Sequence, residues 1–175
     1  MYNLHYLFRS IMKRFAVAFT GPSGSGKTTL VEKISKALIT QREVAIIKHD
    51  PSDKASFDTE GKDSHRFSQT GAEVVVCSPT RTTYFSQRTK ELNEIIRMFK
   101  HFDILLVEGL KTLPLPRIAI FRNKIEESYL NYSEAIAIDQ SININDYNIP
   151  KHIDILDLNN TTQIIEWIDQ HAKQV

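Results

Sequence analysis

A chain of 175 residues, 41% of them hydrophobic, is long enough to bury a substantial core and is read as one main domain. Its 22 basic and 21 acidic residues leave a formal charge of +1, which excludes a general nucleic-acid binder and an acidic tail. A single cysteine, Cys77, excludes an internal disulfide framework and a cysteine zinc cluster, and no apolar run approaches the roughly 18 residues of a membrane span.

Residues 1–12 mix apolar and polar types without a signal-peptide core or a small-residue cleavage site. They are read as an N-terminal extension to a domain of residues 13–175 in a cytoplasmic protein, with neither nucleic acid nor membrane as partner. Residues 15–20, Phe-Ala-Val-Ala-Phe-Thr, form an apolar run of strand type. The next eight, Gly21-Pro22-Ser23-Gly24-Ser25-Gly26-Lys27-Thr28, match G-x-x-x-x-G-K-[ST] in full. A helical pattern follows, with Leu30, Ile34 and Leu38 four residues apart. Strand, glycine loop and helix are the context a phosphate loop requires, because backbone N–H groups and the helix N-terminus together favour an anion. In such a loop Lys27 reaches the β- and γ-phosphates and Thr28 holds Mg²⁺.

A second strand is expected over residues 44–48, then a polar stretch and a short helix over 63–70 stopped by Gly71. Residues 74–77 read as a buried strand ending in Cys77, and residues 82–85 have strand composition. Leu92, Ile95, Ile96 and Phe99 recur at helical spacing. Further strands are expected at 104–107, at 118–121 and at 135–138, the last of the core. Residues 139–160 read as a loop with a short extended piece at 153–158. The closing helix starts near Asn160, where Gln163 suggests a capping box, and presents Ile164, Ile165 and Ile168 inward, with Trp167 covering the core edge. Apolar strands alternating with helices predict an α/β fold: a three-layer αβα sandwich of P-loop NTPase type around a mostly parallel sheet.

Ligands of such sheets lie at the carboxyl ends of the strands. Polar residues just after strands are therefore the candidates: Lys48, His49, Asp50, Glu108 and Asp139. Asp103 precedes its strand and should lie about 15 Å from the phosphate end, so it is rejected as the metal-binding acid. Glu108 suits a Mg²⁺ water or the attacking water, with ordinary pairing to backbone or Lys111 as the alternative. Asp50 faces the γ-phosphate or its metal, or else is a turn carboxylate before Pro51. His49 is read as a hydrogen-bonding loop histidine. Lys62, His65 and Arg66 form either a site for a second phosphate-bearing substrate or a solvated helix face. Asn123-Lys124-Ile125-Glu126 nearly spells the guanine motif N-K-x-D but reads better as a charged turn, and Asp139 is a competing guanine acceptor. The loop itself touches only phosphates and does not separate ATP from GTP.

Beside the phosphate loop stand Ile47-Lys48-His49, Gly61-Lys62-Asp63-Ser64-His65-Arg66, Thr70-Gly71-Ala72, Val107-Glu108-Gly109-Leu110-Lys111, Pro116-Arg117-Ile118 on to Arg122, and Asp157-Leu158-Asn159-Asn160. Together these segments resemble the MobB family of molybdopterin-guanine dinucleotide biosynthesis adaptors, and the resemblance runs from about Lys13 to the final helix. Leu110 stands where the family usually has phenylalanine.

The resemblance implies a dimeric GTP-binding P-loop protein with weak GTP hydrolysis. Such a protein assists a partner guanylyltransferase that joins GMP to molybdopterin, the molybdenum cofactor precursor. Carried across by position, Gly21 to Thr28 and Thr29 bind the triphosphate, with Thr28 and Glu108 near Mg²⁺. Lys48, Asp63 and Arg66 belong to the family's second conserved surface. The competing reading is a uridine-kinase-type small-molecule kinase, with Asp50 as the base on an acceptor hydroxyl; Arg81 and Arg88 are then the nearest lid arginines. A nucleotide-gated metallochaperone is a third reading, for which histidines are few and cysteine ligands lacking.

Overall fold

A computed structural model describes residues 13–175; the expected N-terminal extension, residues 1–12, lies outside the described residues. The chain divides into two compact units, one made of the residues up to His49 together with His101–Val175, the other of Asp50–Lys100.

The first unit is built on a seven-stranded sheet. Its strands are β1 (Phe15–Thr20), β2 (Val44–Lys48), β5 (Ile104–Glu108), β6 (Arg117–Phe121), β7 (Ala135–Ile138), β8 (Asp154–Asp157) and β9 (Lys173–Gln174). They run in the order β2-β5-β1-β6-β7-β8, every neighbouring pair parallel. The antiparallel β9 pairs with Phe15 and Ala16 of β1, beside the start of β6, which joins β1 only from Ala18 onward. The α/β class and the mostly parallel sheet are as expected. The β7 strand is not the last of the core: residues 154–157 form a further parallel strand in register with it.

Continuous apolar strands are needed because the middle of this sheet is covered on both sides. Val17, Phe19, Ile104, Leu106, Ile118 and Ile120 point to one face, where they pack against the helices α1 (Lys27–Leu38) and α4 (Thr161–His171). In α1 the buried positions are Leu30, Val31, Ile34 and Leu38, the stripe read from the sequence plus one neighbour. On the opposite face Ala119, Phe121 and Ile136 meet the 3₁₀ segment Glu127–Tyr132 and the chain beyond β7. Asn160 caps α4 by accepting the Gln163 N–H at 3.0 Å, whereas the Gln163 side chain accepts from the Asp157 N–H rather than closing a reciprocal box. Trp167 is buried with Ile164 and Ile168, and its indole N–H donates to Asp154 Oδ2 at 2.7 Å. Asp103 sits before β5 and accepts from the Glu43 N–H, a structural role at the amino edge of the sheet.

The second unit contains α2 (Asp63–Ser68), the antiparallel hairpin β3 (Val74–Cys77) with β4 (Thr82–Phe85), and α3 (Leu92–Met98). Gly71 follows α2 at φ 84°, the left-handed stop expected of it. Leu92, Ile95 and Ile96 of α3, together with Phe99 just after it, are half-buried, as their helical spacing predicts. Among the described residues, none of the fully buried hydrophobic side chains lies in this unit, as a short chain segment has little interior to offer. That corrects one expectation: Cys77 does not end a buried strand but is exposed, because among the described residues β3 pairs only with β4 in a two-stranded sheet.

Candidate nucleotide-binding site

At the carboxyl end of β1 the chain turns through Gly21, Gly24 and Gly26, all with positive φ, before α1 starts at Lys27. Gly21 is irreplaceable on steric grounds: its φ is 138° and an added Cβ would lie 2.3 Å from the carbonyl oxygen of Ile120 in β6. The first glycine of the motif is thus dictated by strand packing as well as by the turn. Lys27 Nζ folds back over the loop and donates to the carbonyls of Gly21 at 2.9 Å and Pro22 at 2.7 Å. Burial lowers its pKa below 10.5; Glu108 opposes the shift, and Lys48 and Lys111 add to it.

Glu108 ends β5, in register with Phe19 of β1 and Lys48 of β2. Its carboxylate is largely buried. One oxygen accepts from Lys48 Nζ at 2.9 Å and the other from the Thr28 hydroxyl at 3.4 Å. Lys111, the alternative partner, instead lies 3.8 Å above the Tyr129 ring. The sheet register therefore gathers Lys27 and Thr28 of α1, Lys48 of β2 and Glu108 of β5 at one point from three different elements.

The donor set fits a magnesium-bound polyphosphate. Thr28 and Glu108 offer hard oxygen ligands at the foot of the loop, in the small number that Mg²⁺ takes from protein when phosphate and water complete its shell. Among the described residues, the buried hydroxyl of Ser25 inside the loop has no hydrogen-bond partner, and nothing lies within 4 Å of the Cβ position at Gly24. The loop thus has an unmet polar group and open space over its apex.

The remaining candidates divide. Asp139, after β7, accepts the Ser141 hydroxyl at 2.5 Å and the Ser141 N–H at 3.1 Å on Oδ1, and faces Arg122 Nε at 3.3 Å through Oδ2. Its carboxyl is held below the usual range, chiefly by the Ser141 hydroxyl and then by its backbone and Arg122. Asp50, Asp63 and Arg66 belong to the second unit. Asp50 accepts the N–H groups of Ser52, Lys54 and Ala55, the contacts of the turn alternative. Asp63 opens α2 and Arg66 lies three residues on, both exposed.

Two arginines at this edge escape sequence reasoning. Arg122 directly follows β6, so the same carboxyl-end rule selects it. Arg117 begins β6 and left no sequence signal beyond its place in a family segment. It is 1% exposed and donates to the carbonyls of Gly109, Leu110 and Leu113, which shapes the turn just after Glu108.

The family model described as MobB, molybdopterin guanine dinucleotide synthesis protein B, matches residues 16–140, from β1 through Asp139. The chain belongs to the MobB family. It is 33% identical over 161 residues to the molybdopterin-guanine dinucleotide biosynthesis adapter protein of Haemophilus influenzae, covering 87% of this chain and 86% of the relative. The adapter protein of Escherichia coli K12 is 28% identical over 169 residues, covering 88% and 93%. The crystal structure of Bacillus subtilis MobB superposes with a TM-score of 0.71 at 24% identity, over 90% of this chain and 98% of that one, a likeness of fold. The MobB match spans every residue gathered around Glu108, and it also spans the second unit.

Proposed function

We propose that this protein is a GTP-binding accessory protein in the formation of molybdopterin guanine dinucleotide. In this reading it works in the cytoplasm as a homodimer and hands nucleotide or the molybdopterin precursor to a partner guanylyltransferase. The observation that carries the reading is the convergence of Lys27, Thr28 and Glu108 on the open mouth of the glycine loop. MobB relatives named as adapters supply the pathway.

The N–H groups of residues 23–28 hold the phosphates, and Thr29 extends that contact along α1. Lys27 exchanges the carbonyls of Gly21 and Pro22 for the β- and γ-phosphates. Thr28 and Glu108 would hold Mg²⁺, which when bound would offset charge on the phosphate oxygens. Lys48 balances Glu108 from β2 and stands ready for the γ-phosphate. Glu108 is committed to Thr28 and Lys48 and is poorly placed to act as a base on water, in keeping with slow hydrolysis at most. The kinase reading needs Asp50 as a free base, but that carboxylate serves three backbone N–H groups.

Calorimetry with GTP and ATP, followed by turnover assays with nucleoside acceptors, tests this reading. Guanine preference with slow hydrolysis supports the adaptor; rapid acceptor-dependent ADP formation establishes the kinase instead. Glu108→Gln is expected to keep magnesium-free nucleotide binding and to weaken the magnesium-dependent gain about tenfold. An unaltered magnesium titration removes Glu108 from the metal site.

Lys27 also gives a pH prediction. Because its folded pKa lies below 10.5, the charge it carries disfavours the folded state at low pH, and the penalty fades as pH rises through the lowered value. A bound triphosphate reverses the shift. Binding at alkaline pH below 10.5 should therefore take up a proton. Calorimetry in buffers of different ionisation heat reads this uptake directly, and equal binding heats across buffers contradict it.

A further inference from the structure

Arg122 has no part in the site as described, yet it is held with care. Its Nε donates toward Asp139 Oδ2 at 3.3 Å, while Asp139 Oδ1 takes both the hydroxyl and the N–H of Ser141. The Ser141 hydroxyl in turn accepts the N–H of Asn123, the residue next to Arg122, at 2.8 Å. The turns after β6 and β7 are thereby tied together, and the arginine's direction is set from both.

The guanidinium is directed to the phosphate loop. A Cβ built on Gly26 would lie 3.4 Å from Arg122 Nε, 3.6 Å from Cζ and 3.6 Å from Nη2. Near-equal distances to three atoms of a planar group place Gly26 against its flat face rather than at its rim. The Arg122 side chain is nevertheless 44% exposed, so the group is not enclosed. One face rests on the loop and the other remains accessible.

The order of strands says which end of a nucleotide meets it. The β1 strand feeds the loop, with β5 on one side and β6 on the other. Glu108, with Thr28 and Lys48, marks the β5 side as the metal and γ-phosphate end. Arg122 and Asp139 stand on the β6 side. A nucleoside triphosphate laid across the loop with its metal end at Glu108 brings its nucleoside to Arg122.

We propose that Arg122 is a stacking platform for the nucleotide base, with Asp139 as its positioning residue rather than a reader of the base edge. This rests on the nucleotide reading of the loop given above. A guanidinium plane stacks on an aromatic ring by charge and by shape together, which a lysine ammonium does not reproduce. Asp139 has three of its roughly four acceptor positions taken by Ser141 and Arg122, leaving little to receive the paired donors of guanine. Stacking reads a ring and not its edge, so the platform adds affinity for GTP and ATP alike.

Calorimetry on the full chain, with Mg·GTP and Mg·tripolyphosphate as the two probes, tests the proposal. Arg122→Ala and Arg122→Lys are both expected to weaken GTP about fivefold to tenfold and to leave tripolyphosphate unchanged. Asp139→Asn should weaken GTP less, and should cost nothing further in the Arg122→Ala background, an interaction that a merely structural role does not produce. Recovery of GTP affinity in Arg122→Lys, or an equal loss for tripolyphosphate, makes Arg122 a phosphate counter-ion and overturns the platform. Unchanged GTP binding in Arg122→Ala overturns it as well. Failure of the unaltered protein to bind either probe refutes the nucleotide reading itself, and the platform with it.

Discussion

Lys27→Ala is expected to lower affinity for Mg·GTP by about a hundredfold or more while leaving the fold intact. The Nζ is held by the Gly21 and Pro22 carbonyls, directly over the mouth of the loop. Its partial burial means that its charge is poorly served by water and is better served by an anion. Alanine removes a cation that meets the most highly charged part of the ligand. The two loop carbonyls lie at the surface of the mouth, where water replaces the lost donor, so thermal stability should change little. Equilibrium dialysis with labelled nucleotide measures the loss. Retention of affinity within about threefold, less than 1 kcal/mol, means that the phosphates do not sit where Lys27 points.

Arg117→Ala is expected to be the most damaging single change to stability. The side chain is among the largest fully buried ones in the protein, and its guanidinium serves three carbonyls of the turn after Glu108. Burial disfavours its charge and lowers its pKa, with Glu134 opposing, and the carbonyl contacts offset that cost. Leu110 in that turn has φ 50°, a left-handed conformation that a leucine adopts only when its surroundings impose it. Truncation removes three charge-assisted hydrogen bonds and opens a cavity. The Leu110 and Leu113 carbonyls keep the N–H groups of Leu113 and Leu115, while the Gly109 carbonyl loses its arginine partner. The total cost is about 3 kcal/mol or more. For a chain of this size that lowers the melting temperature by roughly 6–12 °C. Arg117→Met keeps the stem and should lose less, which separates packing from hydrogen bonding. A melting temperature within about 2 °C of the original protein in Arg117→Ala contradicts the account.

Much of the site was legible because its signals are local. The phosphate loop needs glycines at set spacing, a lysine and a hydroxyl, all within eight consecutive residues. Glu108 becomes a candidate through a rule that needs only a strand and its direction, and the same rule sets aside Asp103, which accepts the Glu43 N–H at the amino edge. Arg122 obeys that rule too; its interest emerges only when Gly26 and Asp139 close in on it. Arg117 was beyond reach, because an arginine at the start of a strand ordinarily faces solvent. Nothing in the linear pattern says that the turn after β5 will fold over it.

Asp50 shows the same division. The dipeptide Asp50-Pro51 allows a turn carboxylate and a catalytic one equally, and only the folded chain brings the backbone N–H groups of Ser52, Lys54 and Ala55 onto the carboxylate, the contacts of a turn. Cys77 ends an apolar run that reads as buried, but among the described residues its strand pairs with β4 alone and the cysteine is exposed. Burial depends on what packs against a strand from elsewhere in the chain.

By itself the sequence determined the α/β class, the phosphate loop, the helix stripes and the carboxylate at the end of β5, because periodicity and short-range spacing encode them. The tertiary structure alone decided strand order, the division into two units, the partners of Glu108, and the convergence of Arg117 and Arg122 on the turns beside the loop. Those depend on pairings between residues far apart in the chain, and hydrogen bonding and shape settle such pairings only once the sheet has closed.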